Sequence, residues 1–184
     1  MRRENDEEFI ERLRAEDEIK NVLRQYCRGV DRRDFELVRS CYHPDAHDSH
    51  GAYNGGIDGL IEWMSQRHHG VSQSMHMLGN CIVNWYETHA IVETYCVTYQ
   101  RLEPSGSGST SDVGFSVGGS GAQTQVRCRY IDKFDAREGD WRIAARVVVY
   151  DSLLLEPPTA EPAFASGMML STRNADDPLY TFFN

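Results

Sequence analysis

A chain of 184 residues, 40% apolar and 26% charged, can bury one sizeable core and has the composition of an ordinary globular protein. Its net charge of −9 argues against a nucleic-acid partner, which needs a basic stripe to release counterions. No run approaches the roughly 20 apolar residues of a membrane-spanning helix, and the N-terminus has no apolar run of signal-peptide type.

In chain order, the first segment predicts a long amphipathic helix, because Phe9, Leu13, Ile19, Val22, Leu23, Tyr26 and Val30 follow helical spacing. A second, shorter helix is expected from Asp34 to Tyr42, capped by Asp34 and ended by Pro44. A strand over 45–50 would place Ala46, Asp48 and His50 on one face and His47 on the other. The stretch CYHPDAHDSHG therefore does not bring His43, His47 and His50 together, and no metal site is expected there.

A third helix is expected from about Ile57 to His69, with Gly70 as its C-cap and His68 and His69 in its last turn. Strands follow at 75–86 and 90–101, turning at Glu87 to His89, and then at 126–134 and 141–151, turning at Ala136 to Asp140. Between these hairpins lies a Gly/Ser-rich segment of residues 104–123, either a disordered tip or a lid. Helices first and an antiparallel sheet after them define an α+β fold. Residues 1–151 form the expected single domain, and 152–184 form a tail. Its aromatic end suggests packing on the body or on a neighbouring subunit. The five cysteines are scattered without a CxxC, as expected for free thiols in a reducing cytoplasm.

Four residues carry chemistry that the pattern alone leaves open. His76 starts a strand between Met75 and Met77, either as a hydrogen-bonded core histidine or as a catalyst. Asp31 ends the first helix, where the macrodipole disfavours a carboxylate, so Arg32, Arg33, Arg146 or a histidine N–H should compensate it. Arg146 lies in an apolar strand and must either pair with a core carboxylate or face a ligand. Tyr26 is either core or presents its hydroxyl to a cavity.

The segments YCRGVDRRDFELVRSCYHPDAHDSHG, HMLGN and RYIDKFDAREGDWRIAARVVVYD, in that order and spacing, resemble the SnoaL-like branch of the nuclear transport factor two-like superfamily. The likeness covers about residues 8–151. It implies a cone: a curved antiparallel sheet wrapped around N-terminal helices, enclosing an apolar pocket. It also implies proton abstraction by a His–Asp pair without metal or cofactor. Asp31 and His76 fall on that pair, and Tyr26 on a tyrosine of the branch's dehydratases. Arg146 falls on an arginine of its dehydrochlorinases. His50 stands where the dehydratases have a pocket tyrosine, and Asp48, His50 and Tyr130 are the expected substrate contacts.

The function implied is a lyase acting on a hydroxylated aromatic or polycyclic small molecule, by dehydration or by release of formaldehyde from a lignin-derived diaryl diol. The alternatives are an isomerase or cyclase of the ketosteroid or polyketide type, and a non-catalytic oxygenase subunit. A homo-oligomer is expected, a trimer before a dimer.

Overall fold

Helix α1 spans Asp6–Arg32 and begins with a reciprocal cap: Asn5 accepts from the Glu8 N–H while the Glu8 carboxylate accepts from the Asn5 N–H. It ends at Arg33, which adopts a left-handed conformation and turns the chain sharply. Ile19, Leu23, Tyr26 and Val30 are buried, whereas Phe9 and Leu13 stay exposed, so the first turns lie outside the core. The computed structural model describes residues 5–104, 121–157 and 167–182.

Helix α2 is shorter than expected, Phe35–Ser40, with the Asp34 side chain accepting from the Leu37 N–H. Strand β1 follows at once, Tyr42–His50, so Pro44 lies inside a strand and does not end the helix. The sheet tolerates it because the register with the neighbouring strand slips between Tyr42 and His47, a stretch where a residue without an N–H forfeits no ladder bond. A short strand β2, Tyr53–Gly56, folds back on β1. It was not anticipated, because YNGG reads as turn chemistry.

Helix α3 runs Ile57–Arg67 and tightens into a single 3-10 turn, His68–Gly70, in which Gly70 is not left-handed. Four long strands then follow: β3 Val71–Trp85, β4 His89–Leu102, β5 Ala122–Arg137 and β6 Asp140–Glu156. Each is longer than expected: β3 and β5 begin in the polar stretches VSQS and AQTQ, which carry too few apolar residues for periodicity to register, and β6 runs on through Leu153, Leu154 and Leu155, expected as the start of the tail. Of the Gly/Ser-rich segment 104–123, residues 105–120 lie outside the described residues, while Ala122 and Gln123 already belong to β5.

The six strands form one curved, unclosed sheet in the order β2-β1-β6-β5-β4-β3. All pairs are antiparallel except β1 with β6, which is parallel because the chain crosses the whole sheet between them. The concave face and α1 and α3 share one core, with Leu23, Leu60, Met64, Phe134 and Ile143 almost fully buried. Each such side chain contributes about 1.5–3 kcal/mol over its exposed state. A four-residue helix α4, Pro178–Thr181, lies in the tail.

Candidate active site

Strand alternation decides which way His76 faces. Met75 and Met77 point outward and are exposed, so His76 between them points to the concave side. Asp31 sits one residue before the end of α1, the helix that packs against β3. The two meet: His76 Nδ1 lies 2.7 Å from Asp31 Oδ1, and the His76 backbone N–H donates to Asp31 Oδ2 at 2.8 Å. The Ser74 hydroxyl donates to Oδ1 at 2.7 Å. The helix-end carboxylate is therefore compensated by a histidine N–H, and none of Arg32, Arg33 and Arg146 bonds to it.

Both side chains are nearly sealed, His76 at 7% and Asp31 at 12% exposure. Burial pushes the Asp31 carboxyl up, but the hydrogen bond and charge of His76, its backbone N–H and the Ser74 hydroxyl outweigh that and hold it below the ordinary value. A carboxylate that stays ionised holds the hydrogen on Nδ1. It thereby leaves Nε2 as the acceptor, the arrangement an imidazole base needs.

His76 borders a half-open cavity of about 550 Å³, a size suited to a small organic ligand. Tyr26, His50 and Tyr130 line it too, with Trp63, Arg67 and His68 from the α3 side. Burial pushes the Tyr26 phenol well above its ordinary value, against a partial pull from Arg146, so it is a hydrogen-bond donor at neutral pH. His76 also borders a cleft of about 810 Å³ between α1 and β3, lined by Lys20, Arg24, Arg28 and Arg32. That cleft is larger, but Arg24 and Arg28 are exposed and charged, whereas the inner cavity has the aromatic walls.

Asp48 and Arg146 do not border the cavity. Asp48 is fully buried behind it, accepting from the Tyr42 hydroxyl at 2.7 Å, with its other oxygen 3.4 Å from His50 Nδ1. Arg146 is held by both oxygens of Asp132 at 2.7 and 2.8 Å. Its guanidinium lies over the rings of Tyr26 and Tyr130, 4.1 and 4.2 Å from their centroids. Of the two partners expected for Arg146, the core carboxylate is the one found. This buried pair fixes the two tyrosines from behind.

The histidines of CYHPDAHDSHG diverge. His43 bonds to the Asp135 carbonyl and His47 to the Asn54 side chain, while His50 faces the cavity. Among the described residues no three His, Cys, Asp or Glu side chains group as metal ligands.

Sequence reasoning missed Arg67, Gln100 and Arg173, and it read His68 only as a helix-end residue. His68 continues the buried stripe Leu60, Met64 by one more turn, a signal that was available. Arg173 gave none, because it acts across more than a hundred residues of sequence.

A curved six-stranded sheet over an N-terminal helix, with an inner cavity beside it, defines the cone-shaped class of nuclear transport factor two-like domains. Within that class the chain belongs to the SnoaL-like domain family, whose sequence profile matches residues 11–147. Similar solved structures include a hexachlorocyclohexane dehydrochlorinase of type 2, with TM-score 0.66 and 15% identity over 86% of this chain and 99% of that one. A candidate scytalone dehydratase from Novosphingobium aromaticivorans gives a TM-score of 0.64 and 14% identity, over 86% of this chain and 97% of the other. A candidate aromatic ring hydroxylase from the same organism gives 0.60 and 19%, over 76% and 90%. At these identities the likeness is one of fold. No curated protein matches the chain in sequence.

Proposed function

We propose that this protein is a cofactor-independent lyase in which His76 is the base and Asp31 its orienting partner. The observation that carries the reading is the 2.7 Å contact between Asp31 Oδ1 and His76 Nδ1 at the wall of an aromatic-lined cavity. Nε2 takes a proton from the substrate, and the ionised Asp31 stabilises the imidazolium that results. In a dehydration the proton comes from carbon, the electron pair forms the double bond, and the β-hydroxyl leaves as water. In a formaldehyde-releasing cleavage the proton comes from a primary hydroxyl and the adjacent C–C bond breaks. Formaldehyde departs, and the electron pair left behind expels a neighbouring hydroxyl as water.

Tyr26 donates to the departing oxygen, and His50 and Tyr130 contact the substrate, a hydroxylated aromatic or polycyclic molecule such as a lignin-derived diaryl diol. The aromatic lining and the volume of about 550 Å³ support that substrate class. The dehydratase and dehydrochlorinase among the similar structures support a lyase. Association of copies belongs to the proposal, a trimer favoured over a dimer. Exposed Met75, Met77, Leu153, Leu154 and Leu155 support it. A cytoplasmic setting belongs to the proposal as well, supported by five free thiols.

The test is mass spectrometry of products from a panel of hydroxylated aromatic and steroid substrates, with wild type and His76→Ala compared at equal folded fraction. Loss of a fragment in wild type and none in the variant is expected. Equal turnover in both would sink the mechanism, and products of unchanged mass would make the enzyme an isomerase.

A further inference from the structure

Cys96 of β4 and Cys128 of β5 are Cα partners in the antiparallel ladder. Both point into the core on the concave face, at 3% and 5% exposure, whereas their neighbours Tyr95 and Arg127 point outward and are exposed. Directly opposed residues of such a ladder have Cα atoms about 4.5 or 5.5 Å apart. Both spacings fall within the range of about 4.4–6.8 Å that a disulfide spans. The two thiols are close enough to hydrogen-bond to one another. Cys128 borders the cavity. Cys96 Sγ lies 3.6 Å from the Tyr130 hydroxyl and 3.7 Å from that of Thr98, and both of those residues border it too. Neither thiol takes part in the proposed proton transfers.

The backbone around the pair has room to adjust. The register of β5 against β6 slips between Arg127 and Cys128, and that of β3 against β4 slips just past Leu78, the partner of Cys96. The two outer ladders are thus irregular beside the pair, while the ladder that joins the two cysteines is continuous. That freedom is needed. Opposed Cβ atoms lie about 4.5–5.5 Å apart, and a disulfide brings them to about 3.5–4.5 Å. A bond closed against such strain is more easily reduced than a relaxed one. The hydrogen bond from Cys128, acting against burial, pulls the Cys96 thiol down, and the same hydrogen bond together with burial pushes Cys128 up. The pair therefore yields one thiolate, the reactive form, more readily than an isolated buried thiol does. Burial alone dominates elsewhere, pushing the Cys27 thiol well up and Cys41 up to about 11.

We propose that Cys96 and Cys128 are a modification site in the cavity wall, a dithiol that hydrogen peroxide converts to a reversible disulfide. The thiolate of the pair attacks one peroxide oxygen, the O–O bond breaks, and hydroxide leaves, giving a sulfenic acid. The second thiol then attacks that sulfur. The S–S bond forms, the S–O bond breaks, and a second hydroxide departs. The two thiol protons convert the two hydroxides to water. The two sulfurs together lose two electrons, and the two peroxide oxygens gain them. Peroxide is far smaller than the organic ligands a cavity of about 550 Å³ suits, so it reaches the wall through the same opening. The inference stands on strand register and thiol contact and is independent of the lyase reading.

The experiment treats the folded whole chain with hydrogen peroxide, unfolds it in an alkylating agent that blocks the remaining thiols, and maps its peptides by mass spectrometry. The peptides carrying Cys96 and Cys128 should be joined and two hydrogens lighter than their sum, with Cys27, Cys41 and Cys81 alkylated. Reduced glutathione should reopen the bond. Cys96→Ser and Cys128→Ser should each abolish it, and the wild-type map decides alone where a variant does not fold. A link from either cysteine to Cys27, oxidation of Cys81 ahead of the pair, or a sulfinic acid in place of the link would overturn the site. So would a bond that reduced glutathione cannot reopen. A link that forms equally fast in the urea-unfolded chain would also overturn it, since the register of β4 and β5 would then contribute nothing.

Discussion

Replacing Asp31 by Asn keeps the shape of the site and separates a catalytic dyad from a structural anchor. The carboxylate accepts three hydrogen bonds, from His76 Nδ1, the His76 backbone N–H and the Ser74 hydroxyl. An amide can satisfy only part of that set. With its carbonyl at the Oδ1 position, its NH2 confronts the His76 backbone N–H, leaving a buried donor unmet at a cost of about 1–3 kcal/mol. In the flipped orientation the NH2 faces Nδ1, forces the hydrogen onto Nε2, and removes the base outright. Either way the negative charge that stabilises an imidazolium is gone. The expected loss in kcat is about 100- to 10,000-fold. The expected fall in melting temperature is roughly 2–4 °C per kcal/mol for a chain of this size. Product formation by mass spectrometry reads the first, and calorimetry the second. Nitrogen chemical shifts of the His76 ring report the tautomer. If Asp31→Asn melts lower yet keeps its turnover within about threefold, a change too small for a lost general base, Asp31 only anchors β3 and the mechanism fails.

Arg146→Met leaves Asp132 charged and unpaired in the core and should cost about 3–5 kcal/mol by denaturant titration, whereas Arg146→Met with Asp132→Leu should recover much of it. A single variant as stable as wild type would remove the pair from the account of the core. Tyr26→Phe should lower kcat about 10- to 1,000-fold with little change in substrate affinity, as loss of a leaving-group donor does; a change in KM alone would make Tyr26 a binding residue. The folded His68 is held below its ordinary pKa, so as pH falls below about 6.5 the unfolded chain takes up a proton that the folded one refuses. Stability should therefore decline on that acid side, and His68→Gln should flatten the slope; identical slopes would contradict the neutral, buried ring. Light scattering should give a trimer, and a concentration-independent monomer would contradict the reading of the exposed sheet residues.

The elements were largely legible because each carries its own period. Helix α1 announced itself through spacing, and β3 through β6 through apolar runs closed by turns. What escaped were features decided between segments. The end of α2 depended on β1 finding β6, a pairing across about a hundred residues that also absorbed Pro44. Asp48 looked equivalent to His50 by alternation, and it does share that face. The sheet curves, however, and only the last residue of β1 reaches the cavity while Asp48 meets Tyr42 in the core. Arg146 could be narrowed to a pairing or a ligand role, but only the register of β5 against β6, which sets Asp132 opposite it, selects between them.

Asp31 posed the sharpest question in the sequence, a carboxylate where a helix end disfavours negative charge. The structure answers it twice. Hydrogen bonds from β3 hold the carboxylate, and Arg173 from the tail holds the backbone behind it. Arg173 accomplishes the second by donating to the carbonyls of Val30 and Asp31 at 2.9 and 2.8 Å, and to that of Val71 at 2.6 Å. A guanidinium on the last carbonyls of a helix offsets the macrodipole that would otherwise repel Asp31. The same guanidinium sets the tautomer of His68. One tail residue therefore braces both the proposed base pair and the His68 wall of the cavity. Arg173→Gln should lower the melting temperature and, by loosening the end of α1 that carries Asp31, lower kcat as well. A variant that melts lower by calorimetry with kcat unchanged would show that Arg173 only anchors the tail.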